Sequence, residues 1–286
     1  MTVGLLAILG IGLVDPETPV VRADDLGLTR GDGCFEGCRI VTSADGISSV
    51  DQLDAHLARM SRSAAALEIE FDEPAWRATV SQALAAWTQT GEAALKLVLT
   101  RGSPSTGVPT GILMISDLPP DYPRQRRDGI RVVTLTRGTT SLAFADAPWL
   151  AGGVKTLSYA VNMAAQREAA RRSADDALFV SVDGRVLEST VSSVVWARGR
   201  TLHTTPLGAS GILGGTVQEV LFARAPAAGW DIAVTDARVE DLHAADTLWL
   251  TGSVRGPVDV IDLDGRARKR DRSVIAEVRE LCGFAR

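Results

Sequence analysis

The chain has 286 residues, 45% hydrophobic and 23% charged, with a formal net charge of −5. That length supports one large or two medium domains with real cores, and the acidic balance excludes the basic field a nucleic-acid binder needs. The three cysteines, Cys34, Cys38 and Cys282, form an odd, irregular set; this excludes a disulfide framework and points to a reducing compartment, and with three scattered histidines no four-ligand metal set is completed.

The opening MTVGLLAILGIGLVDPETPV is apolar, but Asp15-Pro16 interrupts it well short of a membrane span. It carries no basic n-region and no small-residue cleavage site, so it reads as strand, turn and strand, and a cytoplasmic location is expected. Residues 1–50 continue as short strands, with Arg30-Gly31-Asp32-Gly33 too Gly-rich for a helix interior. Leu53, His56, Leu57, Met60, Ala64 and Leu67 then recur at helical spacing, with Arg59 at one edge of the stripe. A second helix is predicted over Glu73–Thr90, with Pro74 in its first turn. Strands follow over Ala94–Thr100 and Gly111–Ser116.

Leu118-Pro119-Pro120-Asp121-Tyr122-Pro123 has three prolines in six residues and reads as an extended connector. The basic cluster beside it, Arg124, Arg126 and Arg127, reads as solvated. These features set a smaller N-terminal α+β domain at 1–117, a linker at 118–128 and a larger C-terminal α+β domain at 129–286. In the second domain the pattern gives a strand over Ile130–Leu135, a helix over Tyr159–Arg172 and a strand over Ala177–Val182. A hairpin turn at Val182-Asp183-Gly184-Arg185 leads into a return strand over Val186–Val195. A helix over Gly214–Ala228, strands over Thr247–Thr251 and Val258–Ile261, and a helix over Ser273–Leu281 complete it. Strands and helices mix without regular β-α-β alternation, so the fold class is α+β in two domains.

Four groups of residues carry chemistry. Of 30 basic residues only Lys96, Lys155 and Lys269 are lysine. Lys155 lies behind Gly152-Gly153-Val154 and ahead of a helix. Arginine keeps its proton in a protein, whereas a desolvated lysine can lose it and attack a carbonyl. Glu188 sits among apolar and β-branched strand residues in Val186-Leu187-Glu188-Ser189-Thr190. A carboxylate there is either solvent-facing or paired, and a protonated ring nitrogen would satisfy it. Ser210 to Gln218 is a Gly-rich loop entering a helix, which suits a phosphate but matches no nucleotide motif. Thr251-Gly252-Ser253-Val254-Arg255-Gly256 places small hydroxyl residues directly after a strand, as an ordinary turn or as further anion donors.

In this order the motifs resemble the class IV pyridoxal-phosphate enzymes: branched-chain aminotransferases, D-amino-acid aminotransferases and aminodeoxychorismate lyases. The resemblance runs through GDGCFEGCR, HLARMSRSA, LTRG, LAGGVKTLSY, LESTVSSV, ILGGTVQ and TGSVRG. It implies the two-domain, D-amino-acid aminotransferase-like fold and pyridoxal 5'-phosphate (PLP) as cofactor. Lys155 would be the Schiff-base lysine, Glu188 would face the pyridine nitrogen, and Tyr159 would lie near the phenolic oxygen. Arg59 would bind the cofactor phosphate, Gly215, Thr216, Val217 and Ser253 would join it in binding the cofactor, and Arg30, Arg39 and Val254 would bind the substrate.

GDGCF and PWLAGGVKTL are most similar to the lyases, which make 4-aminobenzoate and pyruvate on the way to folate. Gly37, Ser158, Ser193 and Gln218 depart from common family versions, and FEGCR resembles the branched-chain enzymes. A branched-chain or D-amino-acid transaminase is therefore the alternative. Small-molecule substrates, no membrane, no nucleic acid, no metal and a homodimer are the remaining expectations.

Overall fold

The computed structural model describes residues 2–284 of the chain. It divides into two compact units: Met1–Pro119 with Val154–Tyr159, and Pro120–Gly153 with Ala160–Arg286.

The first unit is built on a six-stranded antiparallel sheet. Its elements are β1 (Val3–Ile8), β2 (Gly12–Val14), α1 (Leu26–Arg30), β3 (Gly33–Thr42), β4 (Ser48–Val50), α2 (Leu53–Ala66), α3 (Glu73–Ala86), β5 (Gly91–Thr100) and β6 (Thr110–Asp117). The strand order is β2-β1-β6-β5-β3-β4. The period of two along β3 sends Cys34, Glu36, Cys38 and Ile40 to one face, all fully buried. That face meets the predicted stripe of α2, where Leu57, Met60 and Ala64 are equally buried, and Trp76, Val80 and Ala83 of α3. Asp72 caps α3 by accepting from the Ala75 N–H, and Pro74 occupies the first turn, where a missing N–H costs nothing. The helix stops at Ala86, short of the predicted Thr90. Trp87 is already extended (φ −83°, ψ 121°), and the backbone then runs into β5.

The second unit is a mixed nine-stranded sheet with helices. It comprises α4 (Asp121–Asp128), β7 (Ile130–Thr136), α5 (Ala160–Arg171), β8 (Asp176–Val180), β9 (Val186–Ser189), β10 (Ser193–Arg198), β11 (Thr201–Thr204), α6 (Thr216–Arg224), β12 (Asp231–Val234), α7 (Val239–His243), β13 (Thr247–Gly252), β14 (Gly256–Leu263), β15 (Arg266–Ala267) and α8 (Arg272–Leu281). The order is β12-β11-β10-β13-β14-β7-β8-β9, with β15 paired to β14. β7 runs parallel to both β8 and β14.

Three expectations change. The 118–128 stretch is not an extended connector: Asp121–Asp128 is helical. Pro120 caps that helix and Pro123 lies in its first turn, positions where a missing N–H breaks no helical bond. The strand expected over Val186–Val195 breaks at Thr190 into β9 and β10, with Ser189 N–H donating to the Ser192 carbonyl across the turn. The helix expected from Gly214 begins at Thr216, and its end, Ala225–Ala228, tightens to 3-10 where Pro226 removes a donor.

Lys155 also lies elsewhere than expected, because its segment Val154–Tyr159 belongs to the first unit. Phe35 N–H donates to the Lys155 carbonyl (3.0 Å) and Leu157 N–H to the Gly33 carbonyl (2.8 Å), so the segment pairs beside β3. Gly33 is required for that approach. A Cβ there would sit 2.5 Å from the Leu99 carbonyl oxygen and 2.7 Å from a Leu157 methyl. Gly33→Ala is expected to cost about 1–3 kcal/mol as an overpacked backbone site. A denaturant midpoint unchanged from wild type would count against this close packing.

Among the described residues, no helix is long and apolar enough to cross a membrane, and no group of three or more His, Cys, Asp or Glu residues could hold a metal ion.

Candidate active site

In the first unit the lysine's surroundings are local and mostly aromatic. The Lys155 backbone N–H donates to Ser63 Oγ on α2 at 3.2 Å. Together with the β3 pairing, this fixes the main chain on two sides. The Lys155 Nζ lies 4.3 Å from the centroid of the Phe35 ring and 5.9 Å from that of Tyr159. The two rings meet edge to face at 5.2 Å. Lys96 Nζ stands 5.0 Å from the same Phe35 ring. Apolar ring faces desolvate an amine and hold its chain in one rotamer family, which suits a nucleophilic lysine.

Arg59 leaves the apolar stripe of α2 and enters a buried charged cluster. Its Nε donates to Glu36 Oε1 and its Nη2 to Glu36 Oε2, both at 2.7 Å. His56, one turn earlier, bonds the same carboxylate through Nδ1 at 2.8 Å. Burial alone would push the Glu36 carboxyl up, but the bonds from Arg59 and His56 outweigh it and hold it at about 2. The same carboxylate adds to desolvation in raising the neighbouring thiols. Cys34 is pushed up to about 12 and Cys38 well above its ordinary value, so both stay protonated and unreactive.

Arg39 is 5% exposed, with Nε on Asp51 and Nη1 on Glu92, each at 2.7 Å. Arg30 ends α1 and is exposed, with Gly31 behind it in the left-handed region (φ 72°).

In the second unit the Gly-rich loop and the turn after β13 converge. Gly215 N-caps α6 without any side-chain cap bond, so the N–H groups of its first turn meet their partners elsewhere. Thr216 Oγ1 and Ser253 Oγ are 2.9 Å apart, which brings the Gly-rich loop and the β13–β14 turn together. A Cβ on Gly215 would lie 2.3 Å from Ser193 Oγ, so only glycine keeps this corner clear. Val217 packs inward at 2% exposed. Val254 follows Ser253 in the turn and is partly buried.

Glu188 is partly buried on β9 and accepts from the Leu213 N–H at 3.2 Å, so it faces the loop rather than open solvent. Beyond it, Thr190 is held by Asn162, Gln166 and Asp176 (2.7, 3.1 and 2.7 Å).

Taken each by itself, the first unit presents an amine and an oriented guanidinium, and the second a partly buried carboxylate and a helix start cleared by glycine; these are donor types that suit a phosphate-bearing pyridine aldehyde. Sequence reasoning missed the Glu36–His56 partners of Arg59. The signal was present: His56 and Arg59 are three apart on one helix, so they share a face, and Glu36 is the inward residue between two cysteines.

A family model described as Amino-transferase class IV matches residues 33–262. The bifunctional aminodeoxychorismate lyase / D-amino acid transaminase of Mycobacterium tuberculosis (strain ATCC 25618 / H37Rv) is 40% identical over 275 residues, covering 93% of each chain. A hypothetical aminotransferase from Mycobacterium tuberculosis, in its alpha-ketoglutarate and PMP bound form, aligns with a TM-score of 0.93 and 38% identity over 99% of this chain and 98% of that one. A fold IV-transaminase from Curtobacterium pusillum aligns with a TM-score of 0.89 and 37% identity, over 97% and 98%. With the family matched across most of its length, on the α+β architecture described above, the chain belongs to the class IV aminotransferases.

Proposed function

We propose that this PLP-dependent enzyme is an aminodeoxychorismate lyase, converting 4-amino-4-deoxychorismate to 4-aminobenzoate and pyruvate. The observation that carries the chemistry is Lys155, the amine fixed by β3 and Ser63 on its main chain and faced by Phe35 and Tyr159 at its tip. The choice of lyase rests on the 40% identical bifunctional relative, together with the lyase-like GDGCF and PWLAGGVKTL segments.

When bound, PLP supplies an electron sink that acidifies the carbon skeleton attached through the substrate amine. The chain's residues do the rest. The α6 N–H groups of Thr216 and Val217, the clearance at Gly215 and the Ser253 hydroxyl would hold the phosphate, a role also proposed for Arg59. Glu188 would keep the ring nitrogen protonated, and the Tyr159 hydroxyl would serve the phenolic oxygen. Arg30 and the Val254 backbone receive a substrate carboxylate. Lys155 Nζ would be the amine that holds the cofactor's aldehyde and, once free, would take the ring proton beside the substrate amine. Its ammonium returns a proton to the departing enolpyruvyl group, which leaves as pyruvate, so no second substrate is consumed.

A second reading is favoured by one observation: the same relative also carries a D-amino acid transaminase activity in its name. Purified enzyme with 4-amino-4-deoxychorismate and no keto acid is expected to release 4-aminobenzoate. No product there, with glutamate formed from D-alanine and 2-oxoglutarate, would replace the lyase by the transaminase. The proposed assembly is a homodimer. Leu142 and Trp149, 69% and 78% exposed on the second unit, are apolar side chains that a partner subunit would cover. A monomer mass by light scattering would exclude it. A cytoplasmic location, consistent with three buried free cysteines, is open to cell fractionation.

A further inference from the structure

The basic cluster at residues 124–127 is only partly a solvated surface. Arg126 turns inward from α4, and its guanidinium takes two successive main-chain carbonyls. Nε donates to the Arg255 oxygen at 2.6 Å and Nη2 to the Val254 oxygen at 2.7 Å. Both acceptors lie in the turn between β13 and β14. On its other side the Arg126 guanidinium lies 5.0 Å from the Phe284 ring centroid. Phe284 is 5% exposed and packs where Gly256 (φ 81°) has no side chain; a Cβ there would be 2.6 Å from the ring.

The turn is also held through its own arginine. Arg255 Nη2 donates to Asp176 Oδ2 at 2.7 Å and to Ser192 Oγ at 3.0 Å, and both members of that ion pair are buried. So the carbonyls of Val254 and Arg255 are drawn to one side by Arg126, and the Arg255 side chain is drawn to another by Asp176. Between these two restraints and the end of β13 sits Ser253, 2.9 Å from Thr216 at the α6 N-terminus.

We propose that Arg126 is a positioning residue for the anion-holding turn, acting through Ser253 and Val254 and not by touching the anion itself. This inference rests on the reading of Ser253 as a phosphate-holding residue. The warrant is geometric. A planar guanidinium presents parallel N–H groups in a fixed fork, so two consecutive carbonyls are held in one relative orientation. A lysine ammonium carries the same charge but cannot reproduce that fork. A loose turn would let the Ser253 hydroxyl leave the corner that Gly215 keeps open, and a small displacement of a donor from a charged oxygen removes most of its contribution.

The test compares equilibrium binding of PLP with that of pyridoxal, which lacks the phosphate, to cofactor-free protein by absorbance titration. The variants are Arg126→Lys, Arg126→Met and Ser253→Ala, each first checked for folding by its far-UV circular dichroism. Both Arg126 variants are expected to weaken PLP about tenfold, the size expected for loss of a charge-assisted bond, with pyridoxal affinity unchanged. Ser253→Ala is expected to change the PLP-to-pyridoxal ratio in the same direction. Full rescue by Arg126→Lys would overturn the positioning role in favour of a long-range charge effect. Equal losses for PLP and pyridoxal would overturn it in favour of general loosening. A shifted ratio in Ser253→Ala with none in either Arg126 variant removes this inference alone. No shift in Ser253→Ala removes the phosphate reading of Ser253, and the inference with it. Should Arg126→Met fail to fold, Arg126→Lys carries the comparison.

Discussion

Lys155→Ala is expected to lose turnover by roughly 10^4-fold or more, because one side chain is proposed as both covalent anchor and proton carrier. The loss should fall on kcat, since the residues proposed to hold the phosphate remain. Borohydride treatment of the wild-type enzyme with PLP should leave a stable adduct on this lysine, and the Ala variant should leave none. The environment makes the effect specific. Ser63 and the edge of β3 hold the Lys155 main chain, so truncation removes the amine without moving the strand. Retention of a tenth of the activity, or an adduct trapped on Lys96 alone, would move the chemistry off Lys155. Lys96 is the residue to watch, because its amine shares the Phe35 ring.

The second large effect concerns stability. Glu36→Gln is expected to cost about 3–5 kcal/mol, as breaking one partner of a buried pair does. It leaves Arg59 and His56, both buried, facing a neutral amide. The sign with pH follows from the shift. The folded carboxyl is held at about 2, below its ordinary 4.5. A depressed acid contributes stability that is present above its unfolded value and lost as pH falls toward its folded value. The contribution should therefore be intact above about pH 4.5 and disappear between there and about pH 2. Integrated over that window it amounts to about 3 kcal/mol, in line with the cost of the substitution. Melting temperatures followed from pH 6 to pH 2 should show wild type and variant converging as acid is added. Parallel curves would mean that Glu36 does not carry the acid sensitivity.

What was legible in the sequence is what is local. The stripe of α2 placed Leu57, Met60 and Ala64 in the core and Arg59 at its edge, because helical period alone sorts those positions. The inward face of β3 follows from the period of two. Local pattern also misled. Three prolines near 120 read as an extended connector, yet prolines at a cap and in a first turn are compatible with α4. Arg39 matched a substrate motif, but its carboxylate partners, Asp51 just after β4 and Glu92 on β5, come from 12 and 53 residues away in sequence, and no local rule finds them. The same blindness to distant pairing placed Lys155 with the C-terminal domain. The bridge between Cys34 and Thr156, with the main-chain bonds at Phe35 and Gly33, shows which sheet its segment joins. Arg126 was dismissed with its neighbours because composition averages over side chains that point in different directions.

The first unit's discontinuity in sequence bears on how the chain is made. Synthesis proceeds from the N-terminus, and domains tend to fold as they emerge. Here the sheet of β1 to β6 is complete once Asp117 has appeared, but its β3 margin at Gly33–Phe35 stays unpaired until Val154–Tyr159 arrives. The part that closes this margin carries Lys155. During translation the nascent sheet therefore holds an open edge, a site for wrong pairing with another chain, and the same segment that seals the edge delivers the reactive amine. A nascent chain halted before Val154 would be an incomplete fold as well as an inactive one.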